Sequence, residues 1–357
     1  MLRTRRKVAI AVAEGIALML FAAVVTERST SSGPNPVVEA GQSTPVNVAN
    51  FIRAETDLHF ARTVRKAGLG RLHHARQMTP IDQQDVVRMN RDTLYSAGVF
   101  DLEAAPVTIV LPDAKKRFMS MQILSEDHYT IEVATTAGRH TYTRERVGTR
   151  YVYVAIRTVA EQRNPADMKA ARALQDGIKV EQATLGRFEV PKWDQSSQAK
   201  IRGALEILGT ALGDVGPAFG AKNEVDPVRH LISTAIGWGG NPVEAAVYRS
   251  VVPAANDGKT AHQLTFKDVP VSGFWSVSVY NDKGYFEKND LDAYSLTNLS
   301  ARPDAMGAFT VQFGDCRRGA PNCLPIVPGW SYTVRLYQPR PEILGGTWKF
   351  PDALPMR

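Results

Sequence analysis

Two stretches of this 357-residue chain alternate apolar and polar residues, and a block of helix signals separates them. That order constrains the fold more than any other feature. In a doubly wound sheet, strands and helices alternate one for one. Here strands cluster, helices follow, and strands cluster again, which predicts a β-rich α+β chain rather than a parallel sheet. Antiparallel sandwiches or jelly rolls fit both strand blocks, giving two such units with a helical segment between them.

The first block opens with a helix, since Val48, Phe51, Ile52 and Leu58 recur near helical spacing before Gly68 and Gly70. Strands are expected at Val107–Leu111, Phe118–Leu124 and Tyr129–Ala134. His140–Val147 and Arg150–Val159 read as a hairpin across Gly148-Thr149, with Tyr151, Tyr153 and Ala155 on one face and Val152, Val154 and Ile156 on the other. Three helices with clear starts follow. Asn164 precedes Pro165, Asp194 precedes an apolar stripe through Ile201, Leu205, Leu208 and Leu212, and Asp226-Pro227 opens the third. The second strand block comprises His262–Asp268, Phe274–Tyr280, Ala308–Phe313 and Ser331–Tyr337. Asn281-Asp282-Lys283-Gly284 reads as a tight turn, and Trp275, Trp330 and Trp348 as core. The organisation is then an N-terminal β-rich domain over 47–190, a helical connection over 191–245 and a C-terminal β-rich domain over 246–357.

Hydrophobic residues at 44% and charged residues at 22% place the chain among globular proteins and exclude disorder and polytopic membrane architectures. The address is read at the N-terminus. Arg3, Arg5, Arg6 and Lys7 precede the apolar run Val8–Val25, the pattern of a signal peptide or a membrane anchor over 1–28. Ser, Thr, Pro and Gly over 29–46 then read as a flexible linker. Either reading of the run exports the body, to the periplasm or to an inner-membrane anchor facing it. Of the net charge of +7, five positive and two negative charges fall in 1–28. The remainder forms no basic stripe, so a nucleic-acid partner is not expected. Cys316 and Cys323 are the only cysteines. In an oxidising compartment this pair is expected to form a disulfide across a turn.

No GxSxG elbow, HExxH helix or P-loop is present, and no cofactor or metal site is expected. His73-His74 reads as polar surface. Glu126-Asp127-His128, with His140 as an additional donor, reads first as a strand-end turn. The densest polar segment runs from Val87 to Ser96; its Asn90, Arg91, Asp92 and Tyr95 can form turns or grip a polar ligand beside Arg88. A second set, Glu244, Tyr248, Tyr280, Asn289 and Tyr294, combines rings, amides and carboxylates that suit sugars or polar aromatics.

The stretch RMNRDTLYSAGVFDLEAAPVTIVLP resembles the start of the domain-of-unknown-function family numbered 1254. GFWSVSVYNDKGYFEKNDLDAYSL, together with YTVRLYQPRPEILGGTWKFP, resembles the family numbered 1214. The two occur in tandem in this order. The resemblance covers roughly residues 50 to 350 and implies a β-rich, two-domain bacterial protein of a kind often exported. Hydrolase and carboxylesterase labels circulate for such proteins, but the nucleophile elbow of an esterase is missing here.

Three functions follow from these features. One is an envelope protein that binds a polar or glycan-like ligand in a groove between the two β units. Another is a carboxylate-dependent hydrolase or lyase, with Asp92 as base and Glu126 or Glu244 as acid. The third is a structural or assembly protein of the envelope. A tyrosine-lined groove favours the first, converging carboxylates the second, and a flat surface or large apolar patch the third.

Overall fold

The computed structural model describes residues 43–84, 87–212, 216–317 and 320–356. The expected membrane segment, and all of the linker before residue 43, lie outside this range. In chain order the elements are α1 (Phe51–Ala67), β1 (His73–His74), β2 (Thr93–Asp101), β3 (Val107–Leu111), β4 (Met119–Ser125), β5 (Thr130–Ala134), β6 (Gly138–Tyr142), α2 (Arg144–Val147), β7 (Tyr151–Val159), α3 (Pro165–Asp176), β8 (Lys179–Gln182), α4 (Gln195–Gly209) and α5 (Pro227–Gly237). The C-terminal half contributes β9 (Ala246–Val251), β10 (His262–Phe266), β11 (Trp275–Tyr280), β12 (Ser295–Thr297), β13 (Phe309–Phe313), β14 (Cys323–Leu324), β15 (Ser331–Tyr337), α6 (Pro341–Leu344) and β16 (Leu354–Pro355). The protein is α+β and β-rich, and its ladders are antiparallel except for the short β13–β14 pair. Among the described residues no helix is long and apolar enough to cross a membrane.

Each half encloses a core between two sheets. In the first, the five-stranded sheet β1-β2-β7-β4-β5 and the three-stranded sheet β6-β3-β8 share one core. Val152, Val154 and Ile156 face Val107, Ile109 and Tyr142 there, and each aliphatic side chain contributes roughly 1.5–3 kcal/mol of burial free energy. In the second, β12-β11-β15-β9 and β14-β13-β10-β16 enclose Trp275, Val277, Trp330, Tyr332, Val334 and Phe313.

The helices begin where their caps require. The side chains of Asn164, Asp194 and Asp226 each accept a hydrogen bond from the first-turn backbone of α3, α4 and α5. In sequence α4 and α5 lie between the halves. In space they pack with α1, through Phe51, Ala54, Leu205 and Ile232. Helix α1 in turn covers Tyr151 and Tyr153 on the outer face of the five-stranded sheet. Composition alone assigns Thr44 to Val46 to the linker. Both Thr44 and Val46 are docked: Thr44 pairs with Lys192 and Asp194, and the Val46 amide donates to Ser197 Oγ at 2.9 Å.

Two local expectations are corrected. Residues 140–159 do not form a hairpin. Strand β6 pairs with β3 in one sheet, and β7 pairs with β2 and β4 in the other. Thr143 caps the short helix α2 between them and Gly148 ends it in the left-handed conformation, so the chain crosses from sheet to sheet. The polar segment before Ser96 does not simply join a helix to the strand at Val107. It runs into β2, a buried strand hidden in the sequence by its small residues. Gly98 belongs there because the backbone carbonyl of Arg71 approaches it: a Cβ at Gly98 would stand 2.4 Å from that oxygen. The disulfide expected between Cys316 and Cys323 is present, with Cα atoms 5.6 Å apart.

Gly98→Ala is therefore expected to lower stability by about 1–3 kcal/mol through overpacking. Gly203→Ala, in α4 where a Cβ meets nothing within 4 Å, should raise it by up to about 1 kcal/mol. Urea unfolding of the two variants checks both signs.

Candidate functional site

Strands β11 and β15 each bury two faces. Val277, Val279, Val334 and Leu336 face the C-terminal core. Ser276, Ser278, Tyr280, Thr333, Arg335 and Tyr337 occupy the opposite faces and are buried as well. What covers the central part of that second face is the N-terminal half, above all the segment from Arg88 to Asp92.

Arg335 organises this contact. Its Nη1 donates to Ser278 Oγ at 2.9 Å, and its Nη2 donates to Tyr280 Oη at 2.6 Å and to the Arg88 carbonyl at 2.7 Å. Tyr280 Oη donates to the Met89 carbonyl at 2.9 Å, and Asn90 donates to Tyr337 Oη at 2.8 Å. Asp92 lies 4.0 Å from the Arg335 guanidinium, with both carboxylate oxygens buried and without a hydrogen-bond partner. The pairing of these two charges is therefore coulombic. Burial opposes the charge on Arg335, but neighbouring Tyr280 and Asp92 outweigh it and hold the guanidinium firmly protonated.

A second buried arginine lies beside this contact. Arg157 on β7 sits across from Tyr95 on β2, its guanidinium 5.6 Å from the Tyr95 ring centre. It donates to Gln122 Oε1 at 3.0 Å, Asn241 Oδ1 at 3.4 Å and the Gly239 carbonyl at 3.1 Å. Asn241 in turn donates to Tyr248 Oη at 2.7 Å. Among the described residues no carboxylate forms an ion pair with Arg157. Burial pushes the Tyr337 phenol well above its ordinary range, so it is a neutral hydroxyl here.

Beside Asn241 and Tyr337 the two halves enclose a cavity of about 360 Å³. Phe118, Ser120 and Thr130 line it from the N-terminal half, and Asn241, Glu244 and Tyr337 from the helix end and the C-terminal half. Glu132 and Glu224 lie at its wall too, and no lysine, arginine or histidine does. Glu132 is engaged by Tyr142 Oη at 3.0 Å and Arg146 at 2.6 Å, whereas Glu244 is exposed.

The structure thus brings Asn90, Asp92, Tyr95, Tyr248 and Tyr280 to one buried inter-half contact, and Glu244 to the cavity beside it. Arg91 is buried against the Tyr294 ring, 5.2 Å from its centre, and donates to Gln162 at 2.8 Å and to the Thr79 carbonyl. Asn289 closes its own turn through Leu291 and Ala293. Glu126 stands apart, its oxygens taken by Arg53 at 3.1 Å and the Tyr151 amide at 2.9 Å. His128 is buried, stacked on Trp238, and accepts from the Gly239 amide at 2.8 Å. His74 bonds Ser96, and His140 lies 3.5 Å from Glu132. Among the described residues no group of three or more such side chains is placed to hold a metal ion. Sequence reasoning missed Arg157, Asn241, Arg335 and Tyr337. The available signal was an arginine inside an uninterrupted strand, in AIRTV and TVRLY.

Residues 69–146 match a family described as protein of unknown function (DUF1254), and residues 252–341 match one described as protein of unknown function (DUF1214). No curated protein matches the chain. Among solved structures it is similar to the VPA0106 protein from Vibrio parahaemolyticus, at 18% identity and a TM-score of 0.64, covering 87% of this chain and 98% of that one. An uncharacterised protein from Burkholderia cenocepacia aligns at 12% identity and a TM-score of 0.46, covering 82% of this chain and 84% of that one. The Vibrio likeness extends to the fold.

Two outcomes follow from the buried charges. Arg335→Met leaves Asp92 buried and unpaired and should cost roughly 3–5 kcal/mol, most of which the further change Asp92→Leu restores. Chemical denaturation of the single and double variants measures it. A second buried acid sits on the inner face of α1 itself: burial raises the Asp57 carboxyl to about 7, with Oδ1 unpartnered and Oδ2 accepting from Trp193. An acid with a raised folded-state pKa stabilises the fold below its unfolded pKa, and that contribution is lost as pH rises through the folded value. Stability should therefore fall between about pH 4 and pH 7, and Asp57→Asn should flatten that slope in melting curves.

Proposed function

We propose that this chain, carrying the 1254-type and 1214-type families in tandem, is an exported envelope protein that binds a small, neutral, hydroxylated ligand of glycan type between its two β halves. The observation that carries the reading is the 360 Å³ cavity, whose walls come from both halves. Its size falls in the range of small-molecule sites. Its chemistry is that of sugar recognition: Phe118 and Tyr337 supply ring surface, Ser120, Thr130 and Asn241 supply hydroxyls and an amide, and Glu244 supplies an acceptor at the mouth. Three carboxylates without a cation on the wall disfavour an anionic ligand.

Export is supported by the Cys316–Cys323 disulfide, since such bonds persist mainly in oxidising compartments. The basic cluster ahead of Val8–Val25 supports the same address, and we place the body in the periplasm, free or anchored to the inner membrane. A carboxylate-dependent hydrolase or lyase has less support, because Asp92, Glu126 and Glu244 occupy three different surroundings: a buried ion pair, a bridge to α1, and the cavity mouth.

Calorimetric titration with neutral mono- and disaccharides tests the proposal. Binding of at least one sugar is expected, weakened about tenfold by Glu244→Ala through loss of a charge-assisted hydrogen bond, with melting unchanged. Absence of binding by any neutral sugar, or binding indifferent to Glu244, contradicts it.

A further inference from the structure

A second cleft, of about 530 Å³, opens where the N-terminal end of α3 meets the C-terminal half, and it shares no wall residue with the cavity above. Arg163, Arg302 and Arg317 line it. Among the described residues some exposed arginines are ion-paired, Arg139 with Glu181 at 2.5 Å, Arg146 with Glu132 at 2.6 Å and Arg249 with Asp352 at 2.6 Å, and others such as Arg62, Arg65 and Arg71 are not. What sets this cleft apart is that three arginines line one concave wall. Among the described residues the guanidinium groups of Arg163, Arg302 and Arg317 have no hydrogen-bond or ion-pair partner. Two carboxylates, Glu161 and Asp290, also line the cleft, and Glu161 already accepts from the Arg163 amide at 3.0 Å. Positive charge is therefore in excess. The rest of the wall includes Leu291, Leu296, Leu299 and Pro321.

Two of the arginines are held in relation to each other by the backbone. Arg317 belongs to the loop closed by the Cys316–Cys323 disulfide. In the same loop Asn322 donates to the Arg302 carbonyl at 2.7 Å and accepts from the Arg302 amide at 2.8 Å. The staple and this paired bond fix the two segments side by side, while Arg163 approaches from the other half. An arginine cluster of this kind binds carboxylate or phosphate groups through two parallel N–H donors each.

We propose that this cleft binds an organic anion, a carboxylate or phosphate carried on an apolar body. The anionic group meets the three arginines, and the body lies on the leucines and Pro321. Because Arg317 is carried on the stapled loop, the site depends on the disulfide, and reduction loosens one of its three cationic walls.

The probes are benzyl phosphate, benzyl alcohol and inorganic phosphate, titrated calorimetrically into the full-length protein. Benzyl phosphate should bind about tenfold or more tightly than either the alcohol or the free anion, since only it engages both walls. Arg302→Ala and Arg317→Ala are exposed substitutions that should each weaken it about fivefold with melting unchanged. Cys316→Ser with Cys323→Ser should weaken it similarly. A neutral sugar should not displace it, which separates this site from the 360 Å³ cavity. Inorganic phosphate binding as tightly as benzyl phosphate reduces the cleft to a simple anion site and overturns the claim of an apolar body. Benzyl phosphate failing to bind at millimolar concentration, or binding unchanged in both arginine variants, overturns the proposal.

Discussion

The buried guanidinium of Arg335 is the interaction on which the arrangement of the two halves depends. A charge taken out of water is costly unless it is neutralised and hydrogen-bonded. Arg335 meets both conditions only across the contact: Ser278 and Tyr280 come from its own half, but the Arg88 carbonyl and the Asp92 charge come from the other. Without the N-terminal segment, the second face of β11 and β15 would expose an arginine, two tyrosines and several hydroxyls that now lie buried. Asp92 has the reciprocal dependence, since among the described residues its carboxylate accepts no hydrogen bond to offset its own desolvation.

This contact also explains where the first cavity lies. Polar faces that meet edge to edge cannot pack as tightly as apolar side chains, because each donor and acceptor demands a direction. The first cavity lies where these networks end, at Asn241 and Tyr337, and the second cleft lies apart from both. On one side the wall is hydroxyl, amide and carboxylate, and on another it is arginine and leucine. The two walls thus differ in chemistry, and clefts between packed units are a common place for sites.

Much of the architecture was legible in the sequence. Helices α3, α4 and α5 announced themselves through Asn164, Asp194 and Asp226, because a cap acts within one turn and needs no tertiary partner. The two faces of β7 followed from period two, and the disulfide from the two cysteines. What stayed hidden depended on distant packing. Strand β2 was not marked by the local pattern, because Gly98 has its place there only through the Arg71 backbone packed against it. Thr143 turned an expected hairpin into a helical crossing. The site was half legible: Asn90, Asp92, Tyr95, Tyr248 and Tyr280 stood out as hydrogen-bonding types. Arg157 and Arg335 did not, because a residue on the second face of a sandwich strand reads as solvent-facing unless another unit covers it.

The central claim is that these halves form one cooperative structure locked through Arg335, not two domains on a tether. Native-state hydrogen exchange measured in increasing denaturant tests it most directly. The account predicts that the amides of β2 and of β15 open with the same free energy and the same denaturant dependence, as parts of one global unfolding event. If β15 opens at a distinctly lower free energy while β2 remains protected, the halves unfold separately and the account is contradicted.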